Sequence, residues 1–242
     1  MRSGQQRSGQ QRSGQPKGLG SLDSASLLPR AFYEHPPERV APRLLGKLLV
    51  HRADEAILAG RIVEAEAYLG PHNSPPDPAA HAHRGPTPRC AVLFGPPGHA
   101  YVYSIYGQYF CLNVSCEPEG RAGCVLLRAL EPLAGLEKMS RNRGVESAIH
   151  PRVLTSGPSR LCQALGLTRA QHNALDLTSP DSPLQILDDG FADLVASADL
   201  HVGPRIGIKH AIDWPLRFCV AGHVCASGPR KGNGSKQKFP GA

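Results

Sequence analysis

The sequence lacks the features that mark several specialised classes of protein. No apolar run approaches the ~20 residues of a membrane-spanning helix, and no signal-peptide-like apolar stretch follows the N-terminus. The 7 cysteines form no CxxC pair and no zinc-ligand spacing, and their odd number argues against a complete disulfide framework. We therefore expect free, mostly buried thiols, no membrane partner, and a cytoplasmic setting, at the nucleoid of a bacterium or in the nucleus of a eukaryote.

A strong positive charge is missing from the body of the chain. The formal net charge is +7, but residues 1–17 and 226–242 together carry +8, so residues 18–225 carry −1. Composition alone therefore does not identify the body as a binder of polyanions. The basic ends are either electrostatic tethers to nucleic acid or solvated segments without a role.

Internal duplication of a domain is also absent, and 242 residues are enough for one large domain. The N-terminus repeats RSGQQ, RSGQQ, RSGQP, and the C-terminal SGPRKGNGSKQKFPGA is equally poor in apolar residues. Such segments cannot bury enough surface to offset the entropy lost on ordering. We predict disordered basic tails at residues 1–20 and 226–242 and one folded domain at residues 21–225.

The stretch RIVEAEAYLG, residues 61–70, is the most informative part of the chain. Read as a β-strand, it alternates between a polar and an apolar face. The polar face carries Ile62, Glu64, Glu66 and Tyr68, and the apolar face carries Val63, Ala65, Ala67 and Leu69. The two carboxylates indicate either a solvated strand or an active site, and the pattern alone does not choose between Glu64 and Glu66 as a catalytic base.

Aromatic residues make up only 5% of the chain, yet five of the six tyrosines lie between positions 68 and 109. The segment HAYVYSIYGQYFCLNVSC predicts two strands joined by a hairpin with Tyr106 and Gly107 at its tip. A tyrosine at such a tip is exposed, and a core role does not suit it. Tyr101 and Tyr103 fit either a hydrophobic core or a binding site.

The other segments predict a mixture of strands, helices and one long loop. The run CVLLRALEP predicts a strand in which Arg128 needs an acidic partner, with Glu64 and Glu66 as candidates. Residues 71–90, with six prolines, predict an irregular loop. Helices are expected in PPERVAPRLL, PLAGLEKMSRNR and GPSRLCQALGL, and strands in KLLVHR, RIGIKH and LRFCVAG. These elements favour a single α+β domain with mostly antiparallel pairing.

Five blocks in this order resemble the alkyladenine (3-methyladenine) DNA glycosylases of the single-domain mammalian and bacterial type. They are RIVEAEAYLG, AAHAHRGPTPR, GPPGHAYVYSIYGQYFCLNV, GCVLLRALEP and GPSRLCQALG, and the resemblance covers residues 27–222. It implies a curved, mostly antiparallel sheet with surrounding helices, similar to the C-terminal domain of methionyl-tRNA formyltransferases. Cys90 and Gln108 depart from the family, which usually has Asn and Met at these positions.

The resemblance also implies an activity and its substrates. A member of this family hydrolyses the N-glycosidic bond of alkylated or deaminated purines in double-stranded DNA and leaves an abasic site. The expected lesions are 3-methyladenine, 7-methylguanine, hypoxanthine and ethenoadenine. No matched residue supplies the amine nucleophile of a lyase, so we expect a monofunctional, monomeric hydrolase with no metal or organic cofactor.

The family pattern assigns roles to individual residues. Glu66 is the base that activates water, and Arg128 helps to hold that water. Tyr68, His81 and Tyr103 line the base pocket, Asn113 is the pocket amide that disfavours the exocyclic amine of guanine, and Tyr106 is the wedge that fills the gap in DNA.

Two alternatives remain beside this interpretation. His81 and His83 form an H-x-H pair, but no third ligand accompanies them, so no metal is expected. The chain could also be a non-catalytic nucleic-acid binding module on the same fold. The presence of Glu66, Tyr68 and Arg128 together argues against that module, because a binder has no use for a water-activating acid.

Overall fold

A computed structural model of the chain describes residues 24–53, 56–146, 150–191 and 200–227. The predicted tail at residues 1–20 lies outside these ranges, as does the C-terminal tail except for Ala226 and Ser227. Within them, nine β-strands and five α-helices follow one another: β1 (Ser26–Leu27), α1 (Pro37–Leu44), β2 (Leu48–Ala53), β3 (Ala56–Tyr68), β4 (Ala100–Ile105), β5 (Tyr109–Ser115), β6 (Cys124–Ala134), α2 (Leu136–Arg143), α3 (Pro151–Thr155), α4 (Pro158–Leu165), α5 (Arg169–His172), β7 (Leu184–Asp188), β8 (Leu200–Gly203) and β9 (Arg217–Val220). Short 3-10 helices cover Arg30–Phe32 and Ala91–Phe94.

The strands form one antiparallel sheet in the order β1-β7-β2-β3-β6-β5-β4, and β9 joins β8 to β3. The 13-residue β3 is the central strand. β6 pairs along one edge of β3, while β2 and then β9 pair along the other edge. Because β3 passes from one partner to another along the same edge, the sheet curls. The chain is thus a single domain with a curled antiparallel sheet and a few helices.

The main hydrophobic core lies between the sheet and the helices. Val40 and Leu44 of α1 and Leu161 of α4 are fully buried there, together with Ala65 and Ala67 of β3. The small alanine side chains let α1 approach β3 closely. Since successive side chains of a strand point to opposite faces, Glu64, Glu66 and Tyr68 face away from this core.

Several sequence predictions are confirmed. α1 leads into β2, residues 71–90 form no regular strand or helix, β4 and β5 form a hairpin, and β6 contains Arg128. α4 begins with Pro158 in its first turn, where a missing N–H does not disturb the helix.

No helix in the described part of the chain is long and apolar enough to cross a membrane.

Three local predictions are wrong. The register between β3 and β6 shifts between Ile62 and Glu64, so Ile62 packs in the main core with Ala65 and does not share the face of Glu64. In PLAGLEKMSRNR, the first three residues belong to β6, and α2 begins only at Leu136. RIGIKH is not a strand, because Gly207 has a φ of 79° and interrupts extended pairing. The strand that comes before β9 in the chain is β8, which ends at Gly203, before RIGIKH begins.

Candidate active site

Glu66 lies near the C-terminal end of β3 and is completely buried. Its Oε2 accepts hydrogen bonds from the Tyr68 hydroxyl (3.0 Å) and from Nη1 of Arg128 (3.1 Å). Its Oε1 accepts a hydrogen bond from the main-chain N–H of Ile206 (2.7 Å). A carboxylate has about four acceptor positions, two on each oxygen, so Oε1 can accept one further hydrogen bond.

The environment of Glu66 raises its proton affinity. Burial raises the pKa of Glu66 above its usual range, while the Arg128 guanidinium, the Ile206 N–H and the Tyr68 hydroxyl oppose this rise. Burial also raises the pKa of Tyr68, so its hydroxyl stays protonated and donates to Glu66. A carboxylate with a raised pKa is a better proton acceptor than one in solvent, and this property suits a general base.

Glu64 lies on the same face of β3 and is also completely buried. Its Oε1 accepts hydrogen bonds from Nε of Arg128 (3.2 Å) and Nη1 of Arg217 (2.9 Å). Its Oε2 accepts one from the main-chain N–H of Ser227 (2.6 Å). Arg128 therefore bridges Glu64 and Glu66, which confirms that the arginine in the apolar run of β6 has acidic partners.

Aromatic rings cluster beside Glu66. Nδ1 of His81 lies 2.8 Å from the Tyr101 hydroxyl oxygen, and the ring centroids of His81 and Tyr103 are 4.6 Å apart in an edge-to-face arrangement. Tyr68 packs in the same cluster and so connects it to Glu66. Tyr68 and Tyr103 are partly buried and His81 is at the exposed rim, so the cluster is open to a ligand. Such rings can stack on a planar, apolar group.

His81 is neutral at pH 7. Partial burial of the ring lowers the pKa of His81 to about 4, and the nearby Arg89 contributes to this lowering. A neutral ring can bond to Tyr101 and lie beside a cationic group without charge repulsion. In the described ranges, neither His81 nor His83 belongs to a group of three potential metal ligands.

Asn113 lies on β5 directly opposite Tyr101 and is 2% exposed. Its Nδ2 donates to the main-chain carbonyl of Tyr101 (3.1 Å), and its Oδ1 accepts from the Cys124 thiol (3.8 Å). These bonds hold the amide next to the aromatic cluster.

Cys90 is buried nearby, with its sulfur 3.1 Å from the hydroxyl oxygen of Thr87.

Tyr106 lies at the turn between β4 and β5, where its side chain is 89% exposed. The φ angles of Tyr106 and Gly107 are 48° and 76°, both in the left-handed region. That conformation costs a non-glycine residue about 1 kcal/mol or more. The exposed hairpin tip predicted from the sequence is confirmed.

A buried ion pair that the sequence analysis missed supports Tyr68. Both side chains of the Asp77–Arg205 pair are fully buried. Arg205 also donates to the carbonyl of Ala67 (3.1 Å), and its guanidinium carbon lies 4.6 Å from the centroid of the Tyr68 ring. Asp77 accepts the main-chain N–H of Leu69 (3.1 Å), so the pair fixes the start of the loop at residues 71–90.

Arg217 and Ser227 were also missed, and only Arg217 carries a signal in the sequence. Arg217 stands in the apolar run LRFCV as Arg128 stands in CVLLRALEP, so the same argument predicts an acidic partner for it. Asp77 in a proline-rich loop and Ser227 near the C-terminus have no such pattern. Their contacts to Arg205 and Glu64 join residues 128 and 163 positions apart, respectively.

Comparison with known proteins agrees with the five sequence blocks. The family model of methylpurine-DNA glycosylase (MPG) matches residues 31–224. A protein of Koribacter versatilis (strain Ellin345) is 53% identical over 210 residues, which are 87% of this chain and 97% of that protein. A protein of Burkholderia lata is 48% identical over 204 residues (84% and 92%), and one of Methanoculleus marisnigri is 47% identical over 198 residues (81% and 95%). All three are named "Putative 3-methyladenine DNA glycosylase". With a family model matched over most of its length and relatives this similar over nearly all of theirs, this chain belongs to the methylpurine-DNA glycosylase family.

Proposed function

We propose that this protein is a DNA glycosylase of base-excision repair that acts on damaged purines in double-stranded DNA. The expected substrates are 3-methyladenine, 7-methylguanine, hypoxanthine and ethenoadenine. The protein hydrolyses the bond between the purine and C1′ and leaves an abasic site. It works as a monofunctional monomer without a metal or an organic cofactor, on a fold that resembles the C-terminal domain of methionyl-tRNA formyltransferases.

The arrangement of donors around Glu66 carries this proposal. Glycosidic cleavage develops positive charge on the sugar, and a water molecule must attack C1′ as the base departs. Glu66 has one acceptor position left on Oε1 and a raised pKa, so it can orient this water and take its proton. Arg128 keeps Glu66 ionised and aligned before the reaction.

The aromatic cluster supplies a slot for the flipped base. Stacking of a base on an aromatic ring contributes on the order of 1 to 3 kcal/mol. Tyr68, His81 and Tyr103 offer such ring faces, and the neutral state of His81 permits a methylated purine, which is cationic, to bind beside it. Asn113 stands next to these rings, where an amide can oppose the exocyclic amine of normal guanine.

Tyr106 supplies the wedge. A base in a duplex is out of reach, so the nucleotide must rotate out of the stack at a cost of a few kcal/mol. An exposed tyrosine at a hairpin tip can enter the gap and replace the lost stacking. Tyr103 lies on β4, three residues before Tyr106, so the wedge and one wall of the pocket lie on the same hairpin.

The first experiment measures release of hypoxanthine from a duplex that contains one lesion, under single-turnover conditions. Glu66→Gln is expected to lower the rate at least ~100-fold and to leave lesion binding intact, because the amide cannot accept a proton from water. Glu131→Gln is the matched control, since Glu131 lies on β6 with its side chain 42% exposed. A Glu66→Gln protein with the parent rate would remove Glu66 from the mechanism.

Treatment with hot alkali separates the function classes in the same assay. Strand cleavage only after alkali is the result expected of a monofunctional glycosylase. Cleavage without alkali would reveal a lyase, and no cleavage with any of the four lesions would favour the nucleic-acid binding module.

A further inference from the structure

Glu64 is a buried carboxylate that the proposed reaction does not use. It is fully shielded from solvent and accepts hydrogen bonds from Arg128, Arg217 and Ser227. These donors belong to β6, to β9 and to the C-terminal end of the described chain. A solvated strand face would not bring two cations and a main-chain N–H onto one acid.

The charges in this group balance. Glu64 and Glu66 supply two negative charges, and Arg128 and Arg217 supply two positive ones. Removing one member of a buried ionic group leaves the remaining charges uncompensated and is therefore strongly unfavourable. Arg128 in turn has fixed geometry, because its Nε contacts Glu64 while its Nη1 contacts Glu66.

A second chain of contacts leads from Glu64 to Glu66. Arg217 donates from Nη1 to Glu64 and from Nε to the main-chain carbonyl of Pro204 (3.0 Å). Pro204 is two residues before Ile206, whose N–H binds Oε1 of Glu66. Glu64 therefore supports both the arginine and the main-chain donor that contact Glu66.

We propose that Glu64 is a positioning residue of the glycosylase reaction, which aims Arg128 at Glu66 and, through Arg217 and Pro204, holds the turn that carries Ile206. This inference rests on the proposed function of Glu66. It also gives the C-terminal segment a role, because the main-chain N–H of Ser227 completes the shell of Glu64 and its hydroxyl accepts from Arg128 (3.3 Å).

The pH dependence of the reaction reports on this role. The groups that face Glu66 are Tyr68 and Glu64 on β3, Arg128 on β6, Cys111 on β5 and the N–H of Ile206. Arg128 lowers the pKa of Glu66 and Glu64 raises it. In Glu64→Gln, the repulsion is lost and the amide oxygen still accepts from the arginines, so Arg128 interacts mainly with Glu66.

The test compares single-turnover base release by the full-length parent, Glu64→Gln and Glu64→Ala from pH 5 to pH 9. Since Glu66 acts in its ionised form, the acid limb of the rate profile follows its pKa. This limb is expected to move to lower pH in Glu64→Gln, because the negative charge of Glu64 no longer raises the pKa of Glu66. Glu64→Ala is expected to lose about 100-fold in rate with lesion affinity within twofold of the parent, because Arg128 and the turn at Ile206 lose their support.

Asp189→Asn is the matched control. Asp189 is a buried acid that accepts two hydrogen bonds from Arg61 (3.0 and 2.9 Å) outside the site. The Asp189→Asn variant is expected to keep the pH–rate profile of the parent, even if the substitution lowers the stability of the protein. An unmoved acid limb in Glu64→Gln, or a rate loss in Glu64→Ala equal to that of Asp189→Asn, overturns the inference. If Glu64→Ala does not fold, the profile of Glu64→Gln decides alone.

Two outcomes of this assay distinguish a failure of the proposed function from a failure of the role proposed for Glu64. A parent protein that releases no base from any lesion contradicts the proposed function itself. A parent that is active, with Glu66→Gln inactive and Glu64→Gln unchanged in profile, contradicts only the role of Glu64.

Discussion

Glu64 and Glu66 are separated by one residue on β3, and both are fully buried, yet their hydrogen-bond donors differ. Glu64 accepts from two guanidinium groups and a main-chain N–H. Glu66 accepts from one guanidinium, a phenol and a main-chain N–H, and it keeps a raised pKa. The period of two in the sequence gives both residues the same face, so it cannot distinguish a general base from a positioning residue.

The wedge role proposed for Tyr106 predicts a loss of DNA binding without a change in folding. Tyr106→Ala removes a ring that is 89% exposed, so the free energy of unfolding is expected to change by less than about 0.5 kcal/mol. Affinity for lesion duplex is expected to fall at least tenfold, because the gap left by the flipped nucleotide is no longer filled. Fluorescence anisotropy with a labelled lesion duplex measures this loss.

The control for Tyr106 is the nearby Tyr109, which is 40% exposed at the start of β5. Tyr109→Ala is expected to weaken lesion binding much less than Tyr106→Ala does. Equal losses in the two variants would mean that the hairpin offers a general aromatic surface and that its tip has no special role.

At the scale of elements, β3 shows how far a sequence pattern reaches. Alternation correctly predicts that Glu64, Glu66 and Tyr68 share a face, because any strand enforces it over a short span. It fails at Ile62, because the register shift against β6 depends on the partner strand. RIGIKH fails for a related reason. Its alternating isoleucines resemble a strand, but the Ile206 N–H donates to the side chain of Glu66 and not to a main-chain carbonyl of a neighbouring strand.

The loop at residues 71–90 depends on the Asp77–Arg205 pair. Asp77 accepts main-chain N–H groups of Leu69 and Ala79 in addition to the guanidinium of Arg205. One buried carboxylate therefore closes the beginning of the loop onto the end of β3. Because the loop also carries His81, we expect the position of the pocket wall to depend on this carboxylate.

Asp77→Asn is expected to lower the free energy of unfolding by about 3 kcal/mol, because it leaves the buried Arg205 guanidinium without a counter-charge. Urea denaturation measures the change. Arg30→Ala serves as a control, since the Arg30–Asp176 pair is about one-third exposed on each side and its loss is expected to cost less than about 1 kcal/mol. Similar values for the two variants would contradict the role given to Asp77.

At the scale of the whole molecule, the site is assembled from parts that lie far apart in the chain. Glu66 on β3, Arg128 on β6, Arg217 on β9 and Ser227 meet in one cluster. Local patterns identify Glu66 and Arg128 as residue types that need partners, and the family resemblance assigns their roles. The partners themselves follow from long-range pairing, and net charge gives no information on them.

The same long-range packing joins His51 of β2 to His172 of α5 and predicts a dependence of stability on pH. Nδ1 of His51 donates to the carbonyl of Leu165 (2.8 Å), so its Nε2 can accept from Nε2 of His172 (3.2 Å). Nδ1 of His172 then accepts the main-chain N–H of Thr168 (3.1 Å). Both residues are 7% or less exposed, and with this pattern of donors and acceptors the His172 ring is neutral.

Burial, with a contribution from His51, lowers the pKa of His172 below its usual value. The unfolded chain therefore takes up the proton first, and stability is full above about pH 6.5 and falls as the pH decreases below it. The slope from one such group is at most about 1.4 kcal/mol per pH unit. We expect urea denaturation between pH 7.5 and pH 5 to show a smaller loss in His172→Gln than in the parent, since glutamine does not titrate. His35→Gln, which replaces an exposed histidine, is the control, and its stability is expected to fall with pH as that of the parent does. Identical slopes of stability against pH for the parent and His172→Gln would show that His172 does not contribute to this loss.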